Sequence, residues 1–294
     1  MNKRCFLAIL ATFFVGSGCW SVGSKAEPSP VTPNASPTPI TNMTGSKTTK
    51  GFLDNLTADF EQPTDDAGKL LLREYGAVFV ARNGALPPKK VVFRDEADVT
   101  AFQSKLSTSS ATIGGYRIEL QSPAMTALKE AIDEARSSHL SISPRGADSA
   151  RRGYEHTVTL WASRVNPGFV YWVGKGRVTK AEAARIKSLT PFEQVPEILR
   201  LEEDGIYFAK DLSKSIIYSV APPGTSQHLS MLALDVKEFE NEQVRAILAK
   251  HFWYQTVVSD LPHFTYLGVS AAELPGLGLK EVSGGEHVFW VPDI

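Results

Sequence analysis

Apolar residues recur at helical spacing in several stretches of this chain. Met125, Leu128, Ile132 and Ala135 fall on one face across Ala124–Ser138 and predict an amphipathic helix. Leu70-Leu71-Leu72, set among Glu, Lys and Arg, predicts another. Thr190-Pro191-Phe192-Glu193 has the form of a capping box with proline at the first helical position, opening a helix that runs through Leu199. Val244, Ile247 and Leu248 share a face of a helix predicted over Glu240–His251.

Other stretches have the composition of strands: Ala77–Val80, Val91–Phe93, Ile216–Tyr218 and Val288–Val291. Met231–Val236 is short and apolar, follows the turn Pro222-Pro223-Gly224, and reads as a buried strand. His263–Leu267 alternates, with His263, Thr265 and Leu267 on one face and Phe264 and Tyr266 on the other. Helices and strands mix without strict alternation, and there is no internal repeat. That pattern predicts an α+β fold, an antiparallel sheet with flanking helices, in a single domain over residues 51–294.

The first 50 residues follow a different pattern. Lys3-Arg4 precede the apolar run Phe6–Val15, which is too short to span a bilayer, so residues 1–26 read as a signal peptide. Two processing routes fit. Ser24-Lys25-Ala26 is a small-x-small cleavage site. Gly16-Ser17-Gly18-Cys19 resembles a lipoprotein box, with a signal ending at residue 18 and a lipidated Cys19 as membrane anchor; Gly16 stands where that box usually has Leu. Either route predicts export, to a periplasmic or extracellular location. Residues 27–50, rich in Pro, Ser and Thr, predict an extended and disordered linker, either a tether or a tail without a role.

Composition adds three constraints. A hydrophobic fraction of 43% supports a sizeable core. Net charge is −1; without the signal region, which holds three basic residues and no acid, 28 basic residues face 32 acidic ones, so nothing points to a nucleic-acid partner. The 2 cysteines, Cys5 and Cys19, both lie in the signal region, so any metal ligands of the domain must be histidines and carboxylates.

His228 and Asp235 lie seven residues apart, and His263 follows Asp235 after a further 28, with Asp260 three places before it. Two imidazoles and a carboxylate leave an open position on zinc, the mark of a catalytic rather than a structural site. The seven-residue gap suits a loop curling back over a strand, and a neighbouring strand would bring His263 alongside. Asp260 is then left over as general base for a water. By spacing alone, each His reads as readily as a hydrogen-bonded surface or core residue.

Three ordered motifs bear on that choice. Ser226-x-His228-x-x-x-x-Ala233-x-Asp235 resembles the Ser-x-His-x-x-Gly-x-Ala-x-Asp signature of the zinc D-alanyl-D-alanine carboxypeptidases and dipeptidases that trim peptidoglycan peptides. Asp260-Leu261-Pro262-His263 resembles that family's Glu-x-Trp-His element. Ser149–Trp161 is similar to its Ser-Gly-Tyr-Arg-Ser-Tyr-Glu-x-Gln-x-x-Leu-Tyr/Trp segment. The likeness covers about residues 120–268. It implies Zn2+ held by His228, Asp235 and His263, Asp260 as catalytic base, and a peptidoglycan stem peptide as substrate. Arg152, at the family's arginine, would stabilise an oxyanion or grip a substrate carboxylate, with Arg145 as its alternative. Ser226 would orient Asp235 or a substrate carboxylate, or serve only the turn; Tyr154 would contact substrate.

The chain departs from the family pattern at several positions. Met231 replaces Gly, Asp260 replaces Glu, Pro262 replaces Trp and Thr157 replaces Gln. A carboxylate one methylene shorter leaves open a wall-binding relative that is catalytically weak or inactive. A metal-free interaction protein is the remaining class, and predicts no response to chelation.

Overall fold

The computed structural model describes residues 51–294; the signal region, Cys19 and the linker over 27–50 lie outside the described residues. The architecture is α+β. Helices α1 (Asp66–Tyr75) and α2 (Glu96–Gln103) precede a hairpin of β1 (Thr108–Ile113) and β2 (Tyr116–Gln121). Then come α3 (Ser122–Ser137), α4 (Tyr154–Gly174), α5 (Lys180–Lys187) and α6 (Pro191–Glu203). Strand β3 (Ala233–Asp235), helix α7 (Glu242–Lys250) and strands β4 (Trp253–Gln255), β5 (His263–Tyr266), β6 (Leu279–Gly284) and β7 (His287–Pro292) complete the order. None of these helices is long and apolar enough to cross a membrane.

Local signals explain most of the boundaries. Asp65, Asp95, Thr179 and Asn241 each cap a helix by accepting from a backbone N–H in the first turn, and the capping box at Thr190 and Glu193 is present. The β1–β2 turn is Gly114-Gly115, both at positive φ, as a two-residue hairpin turn demands. Helix α4 runs through Asn166-Pro167-Gly168 without a break. Gly168 is needed there, because a Cβ would lie 2.4 Å from the Phe208 ring.

The strands form three small antiparallel sheets rather than one: β1-β2, β3-β5-β4 and β6-β7. In the middle sheet Asp235 lies directly opposite His263. The bonds from Val236 N–H to the Pro262 carbonyl and from Tyr266 N–H to the Leu232 carbonyl make Asp235 and His263 a non-hydrogen-bonded pair. In such pairs the side chains approach most closely.

Three predicted strands are not strands. Ala77–Val80 and Ile216–Tyr218 are 3-10 turns, and Val91–Phe93 belongs to no ladder. Gly76–Val80 is buried throughout, and a short apolar run reports burial rather than backbone conformation. The C-terminal hairpin β6-β7 packs on α1 and β4 and shares the main core through Leu279.

Candidate metal centre

Two features position the cluster. The turn Pro222–Gly224 leads into a 3-10 turn over Gln227–Ser230, which presents His228, and the β3–β5 pairing presents Asp235 and His263. Gly224 sits at φ 77° with the Phe93 carbonyl oxygen only 1.9 Å from where a Cβ would be, so the approach to His228 depends on glycine. Met231 ends the 3-10 turn at φ 59°, in the left-handed region.

The metal-ligating atoms of His228, Asp235 and His263 lie within 4.8 Å of one another, and the group can hold a metal ion. His228 Nε2 is 3.2 Å and His263 Nδ1 3.3 Å from Asp235 Oδ1. The two rings stand edge to face, 4.8 Å between centroids. Both imidazoles are buried.

The far nitrogen of each ring settles its tautomer. His228 Nδ1 donates to the Ala150 carbonyl at 2.8 Å. His263 Nε2 donates to Gln227 Oε1 at 2.9 Å. Gln227 cannot be turned around, because its amide nitrogen donates to the Tyr75 carbonyl at 2.9 Å. The hydroxyls of Thr256 and Thr265 also reach Gln227 Oε1. Each histidine therefore aims a lone pair at Asp235 Oδ1. With both rings neutral, three electron-rich atoms face one another, an arrangement that a bound metal cation relieves. Outer partners of this kind are how proteins orient metal-binding histidines.

Electrostatics agree with that state. Burial lowers the His228 imidazole below its ordinary range, against a weaker upward pull from Asp235, so the ring stays neutral. The Arg152 guanidinium, 2.6 Å from Oδ2, is the cation that meets the Asp235 carboxylate. Metal uptake requires neutral imidazoles, so protons compete with it. Because His228 sheds its proton below the ordinary imidazole range, affinity is expected to be flat above neutrality. The fall on acidification is expected at lower pH than for ordinary imidazole ligands, read by equilibrium dialysis at stepped pH.

One loop, residues 144–152, wraps the free side of β3. Arg145 N–H donates to the Asp235 carbonyl, Asp235 N–H donates to the Ser149 carbonyl, and Ala150 holds His228. Arg152 Nη2 donates to Asp235 Oδ2 at 2.6 Å, while its Nε is fixed on the Asp148 carbonyl at 2.9 Å. Gln103 of α2 braces the loop by donating to the Arg152 and Leu229 carbonyls.

A cavity of about 200 Å³ opens on the cluster. His228, His263, Gln227, Arg152, Ser226 and Asp260 all border it. Asp260 is exposed at its rim, where its backbone carbonyl accepts from His263 N–H at 3.0 Å. Its carboxylate makes no hydrogen bond or ion pair among the described residues.

Several sequence expectations are corrected. Tyr154 does not face the cavity: it is buried with Phe93, Val99 and Leu229, and burial pushes its phenol up to about 12. Arg145 is exposed and absent from the cavity wall; it contributes a backbone donor instead. Arg152 reaches the cavity but is already engaged by Asp235. Thr157, where the family has Gln, is buried and accepts from Gly224 N–H.

Gln227 is the residue that motif reading passes over, since it falls at an unspecified position beside His228. Gln227→Leu keeps the bulk and removes the acceptor. It is expected to weaken metal binding by about 10–100-fold, measured by competition against a chelating dye. No family model matches the chain, and neither a curated protein nor a solved structure does.

Proposed function

We propose that this protein is an exported zinc-dependent peptidase that hydrolyses peptide bonds in peptidoglycan stem peptides, a divergent relative of the D-alanyl-D-alanine carboxypeptidases. One observation carries the reading: His228 and His263, with tautomers set by Ala150 and Gln227, direct lone pairs at the carboxylate of Asp235 and themselves line a cavity that also borders Asp260. A nitrogen, nitrogen, oxygen set with an open side suits catalytic zinc, given that no thiolate is at hand. Further support comes from Met231, whose left-handed backbone falls where the resembled family carries glycine.

Bound at this site, zinc supplies Lewis acidity toward a carbonyl and lowers the pKa of water. The chain's own groups do the rest. Asp260 accepts the proton of the attacking water and returns it to the leaving amine. Arg152 neutralises one oxygen of Asp235 and leaves the other for the ion. Ala150 and Gln227 keep both rings from turning.

Elemental analysis of the purified full chain, followed by mass spectrometry of muropeptides after incubation, tests the proposal. Near-stoichiometric zinc and shortened stem peptides are expected. A zinc-to-protein ratio far below one in protein never exposed to chelator would sink it. A second reading, a wall-binding relative without turnover, is favoured by the carboxylate of Asp260, which nothing in its surroundings fixes in place. It predicts bound zinc and intact muropeptides.

A further inference from the structure

We propose that the C-terminal end of α4 is a docking surface for an anionic lipid bilayer, where Val170 and Tyr171 enter the headgroup region and Lys175 and Arg177 meet lipid phosphates. The inference is independent of the peptidase reading, and none of these four residues borders the metal cavity.

Val170 is 75% exposed, whereas the other exposed large apolar side chains among the described residues are 37–45% exposed. Tyr171 beside it is one of these, and Trp172 is half-buried. A lone apolar residue on a surface needs no explanation. Here three are consecutive, so they wrap the final turns of the helix instead of forming an inward stripe. The rings of Tyr171 and Trp172 stand edge to face, 4.9 Å between centroids, and the Trp172 indole N–H donates to the Tyr207 carbonyl at 2.8 Å. Tyr and Trp, with an apolar body and a polar tip, are the side chains that settle at the level of lipid headgroups.

Two cations complete the patch. Lys175 Nζ lies 5.5 Å from the Tyr171 ring centroid, and the Arg177 guanidinium 5.9 Å from that of Trp172. The chain reverses at Gly176, φ 69°, and Arg177 N–H donates to the Trp172 carbonyl at 3.0 Å, which returns Arg177 to the helix end. Neither cation is in an ion pair among the described residues. Glu203 and Asp204 end the neighbouring α6, yet Arg177 Nη2 takes the Asp204 backbone carbonyl at 2.8 Å and neither carboxylate. Long cationic side chains lay their stems along apolar surface and keep the charged head in the polar layer. An anionic bilayer offers hydrocarbon to Val170 and phosphate to the two cations. A soluble anion would engage the cations and leave Val170 in water; a neutral apolar partner would do the reverse. Val170 follows Thr157, which borders the cavity, by 13 places, or about 20 Å along the helix axis.

Hydrogen exchange over residues 168–178 of the full chain, at stepped lipid concentration, tests the proposal. The vesicles are phosphatidylcholine alone, or phosphatidylcholine with phosphatidylglycerol. Reading this segment by itself keeps contacts made elsewhere in the chain from counting. Half-maximal slowing is expected at about tenfold less lipid with the anionic vesicles than with the neutral ones, given two cations near a charged surface. Lys175→Glu combined with Arg177→Glu removes that difference, and Val170→Asp weakens the slowing in both vesicles. Zinc content is unchanged in every variant, so this result and the peptidase test stand or fall apart. No slowing with anionic vesicles overturns the proposal, as does equal slowing with neutral ones, or an anionic preference that survives reversal of both cations. Slowing without lipid that grows with protein concentration assigns the patch to a second copy of the chain and overturns it as well.

Discussion

Asp260→Asn is expected to lower turnover by about 10²–10⁴-fold while zinc content stays the same, the range for loss of a general base. The separation of the two effects follows from where Asp260 sits. Its backbone carbonyl, not its side chain, holds His263 N–H, so Asn preserves the strand entry while losing proton affinity. Asp260→Glu is the complementary variant. The native side chain is a methylene shorter than the glutamate of the resembled family, and a misplacement of about 1 Å can cost about 100-fold in rate. Activity above wild type in Asp260→Glu would show that reach limits the native enzyme. Two inactive, zinc-loaded proteins would favour the wall-binding reading. Steady-state kinetics with metal analysis on the same preparations decide the matter.

Asp235→Asn is expected to abolish zinc binding and to destabilise the domain. One oxygen of Asp235 faces His228 and His263, where an ion would sit, and the other is paired with Arg152. The Arg152–Asp235 side chains are each 14% exposed, so the pair is largely desolvated. Breaking a buried pair by removing one partner costs about 3–5 kcal/mol, and this partial exposure puts the expected loss near about 3 kcal/mol. Zinc supplies an independent readout. At free metal a hundredfold above Kd, binding stabilises the fold by about 2.7 kcal/mol. Chemical denaturation with and without zinc should show that increment in the wild type and none in Asp235→Asn. A variant that still gains stability from zinc would disprove the ligand assignment.

Much of this was legible along the chain. α3, α6, α7 and β7 announce themselves through spacing, a capping box and alternation, all of which are local. His228, Asp235 and His263 were legible as a set because an open metal site restricts residue types. What remained hidden depends on distant partners. Arg152 looked like a substrate contact until Asp235 was beside it, and a motif cannot say which side chain an arginine meets. Ala77–Val80 misled because burial on all sides erases the period that distinguishes strand from turn, and Ile216–Tyr218 because three residues are too few to show one. α4 carried a readable stripe at Tyr154, Thr157, Trp161, Val165 and Phe169, masked by Asn166-Pro167-Gly168 in its middle. That helix carries Arg164, so missing the helix meant missing the second cation of the cavity.

The pairing of Asp235 with His263 across two strands also dictates timing. The two are strangers along the polymer until β3 and β5 zip together, and a slip of one place would turn one of them to the opposite side of the ribbon. Leu234 and Phe264, fully interior neighbours in that ladder, join the strands through contacts that involve none of the three cluster residues. An ion would therefore meet a snare that strand pairing has already built.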